Sequence, residues 1–151
     1  MRIWQRSIAI AVLFGLGACE PVPPLAQRLK AQLGKGAGTE FELAGTTDVP
    51  WEIAYVFGPY TTAAQVETAL GLKCCTQEVE GLSGSKSGTL FVFVANGKVV
   101  YHSLVLLPHV LFDPPSSTTG IRFSASRLQV YASGANPQWL RVRPVARGAA
   151  A

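Results

Sequence analysis

The chain has 151 residues, 48% of them hydrophobic and 15% charged, a balance that suits one compact domain and excludes a disordered chain. Its formal charge of +4 includes Arg2 and Arg6 at the very start, and beyond them 11 basic residues face 9 acidic ones. That near-balance gives no electrostatic footprint for nucleic acid, and no nucleic-acid partner is expected.

The chain opens with MRIWQRSIAIAVLFGLGAC, which has the three parts of a secretory signal. Arg2 and Arg6 make a positive start, Ile8 to Leu16 an apolar core, and Gly17 and Ala18 a small-residue end. The core is shorter than the roughly 20 apolar residues a membrane-spanning helix needs, so a retained transmembrane anchor is not expected. Leu16-Gly17-Ala18-Cys19 resembles the lipobox of bacterial lipoproteins, and the resemblance covers residues 1–19 only. It implies that Cys19 Sγ is joined to a diacylglycerol, that residues 1–18 are cut away as a signal peptide, and that Cys19 becomes the acylated first residue, a site for palmitate. The alternative is an ordinary signal peptide with an incidental cysteine. A multiply acylated protein stays on its membrane, because each buried CH₂ contributes about 0.8 kcal/mol. Glu20 follows the cysteine where inner-membrane retention uses Asp, so the resemblance implies the periplasmic leaflet of the outer membrane. Pro21, Pro23 and Pro24 then fit a stalk over residues 19–24, since proline holds an extended backbone without amide donors.

A single domain is expected over residues 25–145, with a frayed tail at 146–151. Leu25, Leu29 and Leu33 recur at helical spacing and end on Gly34, a helix with one apolar stripe. The glycines of GKGAG do not make a phosphate loop, because Lys35 is followed by Gly36 rather than Ser or Thr. EFELAG and WEIAYVFG alternate as strands, the second placing Trp51, Ile53, Tyr55 and Phe57 on one face. At Thr62 the period changes to a helix with a Thr62/Gln65 capping box, the apolar positions Ala63, Val66 and Leu70, and a stop at Gly71.

TLFVFVANGKVVYHSLVLL reads as a hairpin turning at Asn96-Gly97, the pair favoured where both turn residues need positive φ. A two-residue turn predicts Ala95 opposite Lys98, Phe93 opposite Val100 and Phe91 opposite His102. One face then carries Phe91, Phe93, Val100, Leu104 and Leu106, the other Leu90, Val92, Val94, Val99, Tyr101 and Val105. Both faces are apolar, so the hairpin must be covered twice, by the Thr62 helix on one side and by the N-terminal helix or a partner on the other. A Pro/Ser/Thr-rich loop follows, then the strands RLQVYA and QWLRVRP, the latter setting Leu140 and Val142 opposite Trp139, Arg141 and Arg143.

Three constellations are candidates for chemistry. Cys74 and Cys75 are a candidate disulfide or thiol pair in an oxidising periplasm, although adjacent residues sit poorly for bonding: their Cα atoms lie about 3.8 Å apart, under the usual disulfide span of about 4.4 Å or more, so the ring is expected to be strained. With no further ligand near in sequence, a structural pair is expected over a redox switch or a soft-metal carrier, and no metal site or cofactor is expected. His109 and Asp113 lie near Ser116, but such proximity imposes no triad geometry, and His102 is expected to be a packed, hydrogen-bonded side chain. Trp139, Arg141 and Arg143 share a strand face suited to anionic lipid headgroups or lipopolysaccharide phosphates, unless the arginines pair with Glu40, Glu42, Glu78 or Glu80. The expected fold is α+β, a mainly antiparallel sheet of about four to six strands with one packed helix and a short N-terminal helix. The expected function is a membrane-anchored envelope lipoprotein with a periplasm-facing binding or assembly domain, its partner an envelope protein or an anionic lipid surface. The rival functions are a small enzyme using the loop around His109 and a redox or metal carrier using Cys74 and Cys75.

Overall fold

The computed structural model describes residues 24–113 and 121–145. The expected signal peptide (1–18), Cys19 and Glu20, the expected stalk up to Pro23, Ser116 and the expected tail at 146–151 lie outside the described residues. The fold is α+β, with three α-helices and eight strands among the described residues: α1 (Pro24–Leu33), β1 (Glu40–Glu42), β2 (Ile53–Phe57), α2 (Ala63–Leu70), α3 (Thr76–Ser83), β3 (Gly88–Ala95), β4 (Lys98–Leu106), β5 (Val110–Phe112), β6 (Ile121–Arg122), β7 (Arg127–Ala132) and β8 (Leu140–Pro144).

The strands divide between two sheets of four rather than gathering in one. The first has the order β4-β3-β2-β6, all antiparallel. The second has the order β1-β7-β8-β5, antiparallel except for the parallel pair β5 and β8. The division follows from the residue patterns. β3 is apolar on both faces, whereas β7 alternates buried Leu128 and Val130 with Arg127, Gln129 and Tyr131, and so has one face for a core and one for water.

Phe91, Phe93, Ala54 and Val56 of the first sheet meet Phe41, Leu128, Val130, Val142 and Phe112 of the second. Leu25, Leu29 and Leu33 of α1 enter the same core, all at most 5% exposed, as their spacing predicts. Pro24 opens α1 instead of closing the stalk, because the first turn of a helix tolerates its missing N–H. On the opposite face of the first sheet, Leu90, Val92 and Phe57 pack with Val66 of α2 and Val79 and Leu82 of α3. The capping box forms, with Gln65 N–H donating to Thr62 and Thr62 N–H donating to the Gln65 side chain.

The hairpin turns at Asn96 (φ 51°) and Gly97 (φ 69°), and Ala95 lies opposite Lys98 as expected. Beyond Val94 and Val99 the register shifts: Phe93 pairs with Tyr101, Val92 with His102 and Phe91 with Ser103. Val100 is therefore the extra residue of a β-bulge, and every later side chain of β4 changes face. Tyr101 and Val105 turn toward the inter-sheet core, while His102 and Leu104 turn toward the helices, the reverse of the uniform alternation expected from the sequence. WEIAYVFG departs in the same manner: Trp51 precedes the strand and packs edge-on against Phe93 in the inter-sheet core, whereas Tyr55 and Phe57 face the helices.

The helix α3 was not evident in the sequence, where Gly81 interrupts it. In the structure that glycine is a close approach, since a Cβ there would lie 3.0 Å from the Leu104 side chain. The bulged register yields a direct test by urea denaturation followed by tryptophan fluorescence. Phe91→Ala should cost about 3–5 kcal/mol, and Val100→Thr about 0.5 kcal/mol or less. A large loss at Val100 would mean that the residue faces the core beside Phe93, as an unbulged hairpin requires.

Candidate functional site

The outer face of the second sheet carries the densest polar constellation of the described residues. Antiparallel pairing sets Tyr131 opposite Arg141 and Gln129 opposite Arg143. The parallel pairing of β5 with β8 sets Leu111 beside Arg141, which leaves Asp113, just past the strand, on the same face. Its backbone N–H donates to the Val142 carbonyl at 2.7 Å, fixing the aspartate where three donors converge. The Tyr131 hydroxyl donates to Oδ2 of Asp113, and Arg141 donates to Oδ1 through Nη2 and through Nε at 3.1 Å. Arg143 lies with its guanidinium carbon 4.8 Å from the centre of the Tyr131 ring and donates to Gln129 Oε1 at 3.2 Å.

The hydrogen bond to Asp113 pushes the Tyr131 pKa up, and partial burial adds to the shift, because a phenolate would lose its donor and face a carboxylate. The same aspartate raises the Arg141 pKa, again chiefly through the hydrogen bond. Arg141 is thus compensated locally, and its acid is Asp113 rather than any of the four glutamates expected from sequence. Glu42 and Glu40 instead meet Arg127, at 3.3 and 3.8 Å, and Glu78 meets His102 Nδ1 at 3.2 Å. Arg143 is exposed and has no carboxylate among its described contacts.

Trp139 sits at the rim, half-buried, with its ring edge-on to His109 at 5.3 Å between centroids. His109 takes φ 61°, and its carbonyl accepts from Leu140 N–H at 2.9 Å, which holds the two rings together. Asp113 engages Tyr131 and Arg141 while His109 engages Trp139, so the pair does not adopt the base–orienter contact of a hydrolytic triad. Val142 is buried and Leu140 packs on the core, as strand alternation predicts. Asp113 was noted in the sequence only for its nearness to His109; its contact with Tyr131, 18 residues away, was missed, and the available signal was the alternation that puts Tyr131 outward with Arg127.

A second constellation lies on the helical side. The sulfurs of Cys74 and Cys75 are bonded to each other, with Cα atoms 3.7 Å apart. Both residues are half-buried and pack on the cluster beneath α2 and α3. Among the described residues no three His, Cys, Asp or Glu side chains gather as a metal site. A small pocket of about 110 Å³ lies beside the start of α1, lined in part by Leu25, Tyr101 and the Arg28–Asp48 ion pair. That ion pair, through its hydrogen bonds, holds the Asp48 pKa below its ordinary value.

No family model matches the chain, and no curated protein or solved structure matches it either.

The tyrosine–aspartate contact is open to titration. Ultraviolet absorbance should show the Tyr131 phenol ionising above the ordinary tyrosine range. Asp113→Asn should bring it down. Because the folded-state pKa is raised, this contact stabilises the fold below the unfolded tyrosine pKa, and the stabilisation is lost as pH rises through the folded value. An unchanged titration curve in the variant would exclude the contact.

Proposed function

We propose that the chain is a lipid-anchored protein of the bacterial envelope, and that its domain is a binding module presenting the outer face of the second sheet to an anionic surface. The anchor is Cys19, and the periplasmic leaflet of the outer membrane is the site that Glu20 favours. The observation that carries the tether is that α1 starts at Pro24 and buries Leu25 at once. The tether between Cys19 and the first helical turn then reaches at most about 17 Å, so the domain stays close to its membrane.

The binding role is supported by the preorganised face. Arg143 is aligned by Tyr131 and Gln129, so little side-chain freedom is lost when it meets a phosphate. Trp139, at the rim against His109, supplies an aromatic anchor of the kind enriched at interfaces. The phosphates of anionic lipid or lipopolysaccharide fit this pattern; an acidic patch on an envelope protein is the alternative partner. Among the described residues no helix is long and apolar enough to cross a membrane.

Metabolic labelling with radioactive palmitate tests the anchor: Cys19→Ser should abolish the label, and undiminished labelling would remove the assignment. Binding to anionic vesicles tests the face. An exposed arginine near an anionic membrane contributes about 1 kcal/mol, so Arg143→Ala should weaken binding by roughly fivefold. Arg141→Ala should weaken binding as well, because it leaves the Asp113 carboxylate unanswered on the same face. Asp113→Asn, which frees Arg141, should strengthen binding, and high salt should compress all these differences. Identical vesicle affinities for the parent and all three variants at low salt would dismiss the anionic-surface reading.

A further inference from the structure

The joint between α2 and α3 is short and unusually built. α2 ends on Gly71, and α3 begins at Thr76, directly after the bonded pair Cys74–Cys75. Cys75 occupies the N-cap position with φ 62° and ψ 38°, in the left-handed region, and no side chain caps the helix. An L-residue avoids that region unless the surroundings impose it, and a helix start without a side-chain cap has little else to fix it. The disulfide closes a ring through the Cys74–Cys75 peptide bond. That ring restricts ψ of Cys74 and φ of Cys75, the two torsions that aim the chain into α3.

Beyond the joint, α3 is held by packing on β3, β4 and α2 and by a hydrogen bond from Tyr60 N–H to the Leu82 carbonyl at 3.3 Å. It is 8 residues long, too short to persist as an isolated helix. Its buried side chains are Val79 and Leu82, and Glu78 reaches His102 on β4. Gly81 is fitted against Leu104, so a tilt of the helix in that direction meets steric resistance. Its docking therefore depends on the entry angle set at Cys75.

We propose that the Cys74–Cys75 disulfide is a redox-operated latch on the helical layer: its reduction lets Cys75 leave the left-handed region and loosens α3 from the first sheet. The reductant is a dithiol, of the class used by thiol–disulfide oxidoreductases. A thiolate of the dithiol attacks one of the two sulfurs, forming a mixed disulfide and releasing the other cysteine as a thiolate that takes up a proton. The second thiol of the reductant, deprotonated, then displaces the remaining cysteine, which is protonated in turn. The reductant leaves as a disulfide, two electrons and two protons having passed to the protein. The loosened state uncovers the helix-facing side chains Phe57, Leu90 and Val92. The latch is independent of the anchor at Cys19 and of the face at Arg143.

The test uses the full chain carrying Cys19→Ser in detergent micelles, so that Cys74 and Cys75 are its only sulfur pair, with dithiothreitol as the reductant. Backbone hydrogen exchange should accelerate by about tenfold or more across Thr76–Ser83 after reduction, while Phe91–Val94 of β3 keep their protection. Mass spectrometry checks that reduction is complete. Adding Cys74→Ser with Cys75→Ser should give the fast pattern with or without reductant. Adding Cys74→Ser with Cys75→Asn, which tolerates the left-handed region, should restore part of the protection. Unchanged exchange in α3 after complete reduction would overturn the latch. So would an acceleration spread evenly over α3 and β3, which would make the bond a general stabiliser.

Discussion

The structure depends on the burial of β3 from both sides. Phe91 and Phe93 project to one face, Leu90 and Val92 to the other, and all four are fully enclosed. Each such side chain contributes about 1.5–3 kcal/mol when removed from water, so neither face can be left open. One cover is the second sheet with the leucines of α1, and the other is the pair α2 and α3. The layering follows from this strand: a sheet with one apolar face suits the first cover, and two short amphipathic helices suit the second. The two covers differ in what they leave outside. The second sheet turns a charged face to water, while the helical pair is held at its joint by a disulfide.

The bulge at Val100 adapts one edge strand to these two covers. Without it, Tyr101 would point toward the helices, and His102 toward the aromatic core at Phe91. With it, Tyr101 lies against Phe93 at 5.7 Å between ring centres, and His102 meets Glu78 on α3. The bulge also interrupts the regular edge of β4, the longest strand, and an irregular edge is a poorer template for unwanted pairing. One extra residue thus serves both the polar contact of the helical layer and the aromatic packing between the sheets.

What the sequence revealed and what it hid separate along the same physical line. The Asn96-Gly97 turn, the Thr62/Gln65 capping box and the leucine stripe of α1 are local, each decided within a few residues by backbone conformation or helical period, and each was legible. The hairpin register became illegible three residues from its turn, because a bulge leaves the hydrophobic pattern intact while reversing its faces. The helix α3 was hidden because its glycine and its uncapped start are unfavourable locally and are explained only by contacts with Leu104 and by the bond at Cys75. The division into two sheets required the parallel pairing of β5 with β8, which depends on chain segments about 30 residues apart. At the candidate site, the strand face bearing Arg141 and Arg143 was legible from alternation. The acid that compensates only one of them was not.

That selective compensation changes the meaning of the basic strand. Counted from sequence, Arg141 and Arg143 are equivalent charges two residues apart. In the fold, Arg141 and Tyr131 both donate to Asp113, and the charge of Arg141 is largely answered within the protein. Arg143 rests on the face of the same tyrosine, where the π-system steadies the cation without neutralising it. Tyr131 therefore joins the two: its hydroxyl helps position the acid that compensates Arg141, and its ring positions Arg143. The stabilising network and the outward charge are parts of one arrangement, with Asp113 controlling how much positive charge the face presents.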